Sequence, residues 1–315
     1  MQKLAIGIDI GGTNISYGVV TINGEVILRE SFPLKGFDDI DKFVDYLSDR
    51  IKHSLAGLAK DYVLEGIGIG APNGNYYNGT IEFAPNLPWT GIIPLAELIQ
   101  KKTKLPVKLT NDANAATIGE MIYGNAKGLK NFVMITLGTG LGSGFVANGK
   151  LILGHDGFAG ELGHAIFDVN GRECNCGRKG CLETYASASG IVRTAKELLA
   201  NSDKPSILRK DEISSEKIYR AALEQDPIAL EAFDYTGYVL GVMLSNAVTI
   251  TSPEAIFLFG GLANAGDLIF KPTKKYMEKY LLTIYQNKIE LKPSALPEND
   301  AAILGAAALI WDQES

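Results

Sequence analysis

The sequence predicts an α/β protein of two related domains with a cleft between them. Three observations predict it. Apolar runs of strand length alternate with stretches of helical periodicity along all 315 residues, a length that suits two domains with sizeable cores. A three-stranded meander opens the chain, and a second begins near Phe132. In both meanders the first turn is glycine-rich and helices and further strands follow, which makes a coarse internal repeat.

Leu4–Ile10 and Ile15–Val20 read as apolar strands around Asp9-Ile10-Gly11-Gly12-Thr13-Asn14. Asn23-Gly24 is a type I′ hairpin signal ahead of a third strand at Glu25–Glu30. Ile40, Phe43, Val44, Leu47, Ile51, Leu55 and Leu58 recur at helical spacing. Leu64–Gly70 reads as a buried strand, Pro94 as the first turn of a helix running to about Lys102, and Val107–Thr110 as a strand. Asn111-Asp112 caps the helix after it. The second meander is Phe132–Leu137, Ser143–Val146 and Lys150–Leu153, with Asn148-Gly149 in its second turn. Helical stretches follow near 184–199, 214–225 and 227–250, with a polar loop at 201–213. Then come a strand at Ile256–Phe259, a helix near 266–282, a strand near 288–292 and a last helix from about Asn299.

Composition narrows the function classes. A net charge of −6 argues against a dedicated nucleic-acid binder, which shows a basic face. It leaves room for a nucleotide, because phosphates need only local donors. No uncharged apolar run reaches the ~20 residues that span a bilayer. The first residues lack the pattern of a signal peptide, so a cytoplasmic protein with reduced cysteines is expected.

All three cysteines, Cys174, Cys176 and Cys181, fall in one short loop, with His164 upstream and Glu161 and Glu183 on either side. Three thiolates and an imidazole make a tetrahedral zinc set, and His155 and His164 both compete for the fourth place. A site with four protein ligands is structural, since no position stays open for water. The glycine turns suit anions. Gly11 and Gly12 let backbone approach a phosphate, Thr13 can donate to it, and Asp9 can hold Mg²⁺. Gly138-Thr139-Gly140 is the counterpart in the second meander, and both turns lie between strands, unlike a Walker loop or a dinucleotide fingerprint. Gly260-Gly261 is a third turn, suited to close approach of an adenine or ribose. Asp112 is either a plain helix cap or a base. A carboxylate at a helix N-terminus is expected to have a low pKa, yet it can still take a hydroxyl proton late in phosphoryl transfer.

Taken in order, Asp9–Thr13, Asn111-Asp112, Gly138–Gly144, Gly157–His164, Cys174–Glu183 and Gly260-Gly261 resemble the ROK family of sugar kinases and repressors, most closely its glucokinase-like members. The combination of Gly-x-x-Gly-Glu-x-Gly-His with Cys-x-Cys-Gly-x-x-Gly-Cys-x-Glu carries most of that resemblance. It implies an actin-like, ribonuclease H-like ATPase fold with an interdomain cleft, a small domain of residues 1–111 plus 303–315, and a large domain of 112–302. It implies ATP in the cleft, with the first two glycine turns on its phosphates. Asp112 matches the family's base for a sugar 6-hydroxyl. Asn86, Asn111, Glu161, His164 and Glu183 match its sugar ligands, and His164 also matches the zinc-ligand histidine. The resemblance implies a homodimer or homotetramer.

The activity expected is ATP-dependent phosphorylation of a hexose at O6, glucose first, with N-acetylmannosamine or N-acetylglucosamine as alternatives. A non-catalytic, sugar-responsive regulator is the reading from another class. It would carry a DNA-binding helix-turn-helix ahead of the first strand, and none is visible before Asp9. One segment departs from the family pattern. Ala71-Pro72-Asn73-Gly74-Asn75-Tyr76-Tyr77 stands where Pro-Gly-x-Val-Asp is usual, at the border of the sugar site.

Overall fold

The computed structural model describes residues 2–57, 62–210 and 212–312. Its first stretch runs β1 (Gln2–Ile10), β2 (Asn14–Thr21), β3 (Val26–Pro33), α1 (Ile40–Ala56) and β4 (Tyr62–Gly70). Three short strands follow, β5 (Gly74–Asn75), β6 (Thr80–Glu82) and β7 (Ile92–Ile93), then α2 (Leu95–Thr103), β8 (Val107–Thr110) and α3 (Asp112–Tyr123). Next come β9 (Phe132–Leu137), β10 (Leu141–Ala147), β11 (Lys150–Leu151), α4 (Ala188–Ala200), α5 (Ser215–Leu223) and α6 (Pro227–Thr251). The chain ends with β12 (Ala255–Phe259), α7 (Asp267–Tyr280), β13 (Glu290–Pro293) and α8 (Ala301–Trp311). The expected Leu58 lies outside the described residues. No described helix is long and apolar enough to cross a membrane.

The chain forms two units. The first is discontinuous: Met1–Leu129, Gly149–Gly160 and Ala295–Ser315. Its main sheet has the order β3-β2-β1-β4-β8, an antiparallel meander continued by two parallel strands. One face of β1 buries Leu4, Ile6, Ile8 and Ile10 against Phe43, Val44, Leu47 and Ile51 of α1, the helical stripe the sequence shows. The other face carries Gly7, and β4 carries Gly68 beside it. A Cβ at Gly7 would stand 1.9 Å from the Ile303 carbonyl oxygen, and one at Gly68 would stand 1.8 Å from that of Ala306. The alanine-rich α8 therefore lies backbone against backbone on β1 and β4.

The second unit, Lys130–Asn148 and Glu161–Ser294, repeats the plan. Its strands run β10-β9-β12-β13, with β9 and β10 antiparallel and β9, β12 and β13 parallel. Val133, Ile135, Ile256 and Leu258 bury against α6 residues such as Phe233, Leu240 and Leu244. Asp226 starts α6 by accepting from the Ile228 and Ala229 amides, with Pro227 in the first turn.

Several expectations shift. Asn23-Gly24 does not form a type I′ turn, because only Gly24 takes positive φ (85°). The Gly24 amide donates to Thr21, which gives a longer loop closed by a glycine bulge. Asn148 and Gly149 both have positive φ, 54° and 77°, as type I′ demands. The helix expected from 184 starts at Ala188, because the Ser187 side chain accepts from the Gly190 amide and fixes the cap there. The small sheet β5-β6-β7 escaped the periodicity because its strands are two or three residues long.

The α8 contact is testable. Gly68→Ala forces its methyl into the Ala306 carbonyl and should cost about 1–3 kcal/mol or more, read from denaturant midpoints. Gly57→Ala is the control. It has negative φ and no close neighbour beyond its own turn, so it should be neutral or slightly stabilising.

Candidate active site

The first unit brings Asp9, Gly12, Asn86, Asn111 and Asp112 onto neighbouring chain ends. Asp9, near the end of β1, pairs with Gly70 at the end of β4. A Cβ on Gly70 would lie 3.6 Å from the Asp112 Cα. The turn after β1 is closed by the Gly11 amide donating to the Asn14 carbonyl at 3.0 Å, so Gly11 spends its N–H internally. Gly12 and Thr13 are exposed beyond it. A side chain at Gly12 would meet the Asn86 carbonyl at 2.9 Å, which brings Asn86 beside the turn.

The capping question at α3 has a clear answer. Asn111 Oδ1 accepts from the Ala113 and Asn114 amides at 2.8 and 3.4 Å. Asn111 is therefore the cap, and only its Nδ2 remains to offer a ligand. Asp112 is the first helical residue. One of its oxygens shares the Ala113 amide at 2.8 Å.

The expected low pKa of Asp112 is overturned. Burial pushes it up and outweighs the hydrogen bonds from the Ala113 and Asp112 amides, which pull it down. Its side chain still reaches solvent, so it is a wet carboxylate closely surrounded by protein. Asp9 is pushed up to about 7, by burial first and then by the Asp112 charge.

The second unit gathers the other glycine turns. The Gly138 and Thr139 carbonyls accept from the Ala188 amide at 2.9 Å and the Ser189 hydroxyl at 2.8 Å, which ties the turn to the start of α4. Gly260 packs on the same strand end, where a Cβ would stand 2.7 Å from the Leu137 carbonyl oxygen, while Gly261 faces open space. A Cβ at Gly140 would be 2.7 Å from Glu183 Oε2, so Glu183 borders the Gly138–Gly140 turn.

His164 and the cysteines converge. Their four ligand atoms all lie within 4.8 Å of one another, and His155 is not among them. The Cys176 and Cys181 sulfurs are 3.6 Å apart, and Cys174 Sγ is 3.8 Å from His164 Nδ1. A tetrahedral ion with metal–sulfur bonds of about 2.3 Å requires sulfur–sulfur edges of about 3.8 Å, so this donor set fits a closed metal site. Burial works against ionising Cys176, but hydrogen bonds from the Arg178 backbone and side chain, then from Cys174 and Cys181, hold it down at about 6. Burial pushes Cys174 and Cys181 up.

Nδ1 is the histidine nitrogen on the cluster side, and Glu183 Oε1 stands 3.7 Å from it and 3.0 Å from Cys174 Sγ. The Glu161–His164 turn is closed by the His164 amide on the Glu161 carbonyl, and Ser143 Oγ accepts from the Leu162 amide at 3.1 Å. Glu161 itself is exposed.

Two supports were missed from sequence. Arg172, to which the sequence motifs assign no role, is buried. Its guanidinium donates to the Thr184 carbonyl at 2.7 Å, the Gly190 carbonyl at 3.2 Å, Thr194 at 2.9 Å and both oxygens of Glu197, and it stacks 4.4 Å over Tyr185. Ser187 donates to the Glu183 carbonyl at 2.7 Å. Both fix the backbone around Glu183.

Comparison with known proteins places the whole chain in one family. The ROK family model matches residues 5–313. The chain is 37% identical to a glucokinase of Halalkalibacterium halodurans, covering 98% of this chain and 96% of the relative. It is 32% identical to a xylose repressor of Bacillus spizizenii over 97% of this chain and 76% of that protein. Among solved structures, a ROK family glucokinase from Streptomyces griseus in complex with glucose and AMPPNP superposes with a TM-score of 0.77 at 32% identity, covering 97% of this chain and 98% of the other.

The raised pKa of Asp9 has a measurable consequence. In the fold Asp9 keeps its proton to about pH 7, against an ordinary 3.8, so the unfolded chain releases it first. Its contribution to stability is full below pH 3.8 and is lost as pH rises to about 7. Asp9→Asn removes that loss. Without metal or nucleotide, its melting midpoint should match wild type near pH 4 and exceed it by a few degrees near pH 8. An equal difference at both pH values would contradict the burial of this charge.

Proposed function

The chain belongs to the ROK family, and on that premise we propose that it transfers the γ-phosphoryl group of ATP to the 6-hydroxyl of a hexose, glucose first. The observation that carries this reading is Asp112. It is a solvent-reaching carboxylate with a raised pKa, relieved of capping by Asn111 and close enough to Asp9 to raise that group as well. A stronger base than an ordinary aspartate suits removal of a hydroxyl proton as the phosphoryl group arrives.

The remaining assignments follow from donor chemistry. Backbone amides of Gly12, Thr13 and Gly138–Gly140 would take the phosphates, and Gly260 and Gly261 would let the nucleoside approach. Gly11 contributes the turn rather than an amide. Asp9 offers the hard oxygen that Mg²⁺ prefers, and that ion would neutralise phosphate charge. Asn86, Asn111 through Nδ2, Glu161, Glu183 and the Nε2 of His164 would hold the sugar hydroxyls. The cluster of His164, Cys174, Cys176 and Cys181 matches zinc in ligand type and spacing. Its role would be to fix the loop that aims His164 and Glu183. Cytoplasmic residence and a homodimer or homotetramer complete the reading.

N-acetylmannosamine and N-acetylglucosamine are the alternative substrates. The likeness to a xylose repressor favours a second reading, a sugar-responsive regulator. Turnover separates them. A coupled ADP-release assay over a panel of hexoses and N-acetylhexosamines should show activity with glucose, and no turnover of any sugar would defeat the kinase reading. In the same assay Asp112→Asn should lower kcat by roughly 10²–10⁴-fold with sugar binding retained.

The metal has its own readout. Elemental analysis of protein purified without chelator should find about one zinc per chain. Cys176→Ser should abolish that zinc and raise the glucose KM more than it lowers kcat. Metal-free wild-type protein would refute the site.

A further inference from the structure

Resting on the kinase reading, we infer that Asn75 is a positioning residue for sugar selection, because one buried amide pins the loop that runs into Glu161. Asn75 is 2% exposed. Its Nδ2 donates to Glu82 Oε1 at 3.0 Å and to the Asp156 carbonyl at 2.9 Å. Its Oδ1 accepts from the Tyr77 and Asn78 amides at 3.0 and 3.3 Å. That uses the full capacity of a carboxamide, two donors and two lone pairs, so no other side chain replaces it. Aspartate would lose both donors and face the Glu82 carboxylate and the Asp156 carbonyl.

The joint is reinforced on both sides. Thr80 Oγ1 holds the same Glu82 oxygen at 2.8 Å, and the Tyr77 hydroxyl donates to the Gly154 carbonyl at 2.9 Å. Gly157 completes it. It is buried, has φ of 89°, and a Cβ there would stand 2.7 Å from Asn75 Oδ1. The loop from Gly154 to Gly160 is therefore seated on the β5–β6 hairpin at Asn75 and Tyr77, and its next residue is Glu161.

The hairpin is seated in turn on the strand that ends at the catalytic helix. A Cβ at Gly74 would stand 2.3 Å from the Thr110 carbonyl oxygen, one residue before Asn111. One short hairpin thus registers two segments: the one carrying Asn111 and Asp112, and the one leading to Glu161. This hairpin is the stretch that departs from the family pattern. A change in it alters which hydroxyl arrangement the polar groups accept, while leaving the phosphate turns alone.

The test uses the full chain. Asn75→Ala, Asn75→Ser and Gly157→Ala are assayed with glucose, mannose and N-acetylmannosamine, and amide hydrogen exchange is followed over residues 154–160. The expected result is a sugar KM raised roughly ten- to hundredfold with kcat and the ATP KM little changed, the scale of losing one sugar hydrogen bond to a charged group such as Glu161. The order of preference among the three sugars should also change. Asn75→Ala and Gly157→Ala should be non-additive, since they break one joint, and exchange over 154–160 should speed up in each. Folded variants that exchange faster there but keep wild-type sugar KM and preference would overturn the inference. Wild-type protein that turns over no sugar defeats the kinase reading instead. The joint is then judged by exchange alone, and unchanged protection in Asn75→Ala overturns it. Should Asn75→Ala not fold, Asn75→Ser and Gly157→Ala carry the same test.

Discussion

The contact between α8 and the β1–β4 pair is the constraint on which the first unit depends. Two glycines, Gly7 and Gly68, let helix backbone touch strand backbone, and any larger residue would collide with a carbonyl oxygen. The same helix packs on α3 through Gly305, where a Cβ would stand 2.6 Å from the Ala115 carbonyl oxygen. One helix therefore sets β1, whose end carries Asp9, β4, whose end faces Asp112, and α3, whose first residue is Asp112. Two neighbouring acidic groups are thus positioned by packing that contains no charge. This explains why the alanine-rich end of the chain belongs to the unit formed by its beginning.

Where no regular element is available, saturated polar groups hold the backbone instead. Asn75 makes four hydrogen bonds, and the guanidinium of Arg172 donates to carbonyls, a hydroxyl and a carboxylate while stacking on Tyr185. A buried polar group costs free energy unless it is satisfied, and once satisfied it admits few alternative geometries. These residues thus define the backbone path where no regular element does. The loop ahead of Glu183 is fastened by Arg172, and a metal on the His164–Cys181 donor set would fasten it a second time. Ser187 closes the remaining freedom at the Glu183 carbonyl.

The regular elements were legible because each rests on local periodicity. The α1 stripe, the buried β4 and the Asn111 cap are all written in nearest neighbours along the chain. So was the repeat, since a glycine turn after an apolar strand is a local signal. The cysteine loop was legible from residue type and spacing, which named the ligands but left His155 and His164 unresolved without the resemblance. Arg172 and Asn75 were not legible as supports. A buried arginine and a surface arginine have the same letter, and nothing near position 75 announces a partner at Asp156. The three short strands failed for a related reason, since two residues cannot show a period. The Asn23-Gly24 turn failed because one dipeptide serves two hairpin geometries, and the loop length that decides between them depends on the register of β2 and β3.

Asp112 shows how opposing effects set the proton affinity of a carboxylate. A helix N-terminus stabilises negative charge, and on that basis alone the residue should be a weak base. Burial raises it, and the end of β1 places a second carboxylate, Asp9, close enough for the Asp112 charge to raise Asp9 as well. Had Asp112 been the cap, the amides at 114 and 115 would hold its charge and pull its pKa down. Asn111 takes that duty one residue earlier, and leaves Asp112 the Ala113 amide, which it shares, and its own. The order Asn-Asp, rather than Asp alone, is what separates the cap from the carboxylate proposed as the base. A neutral amide satisfies the helix without adding charge, and the carboxylate beside it keeps the proton affinity that a base requires.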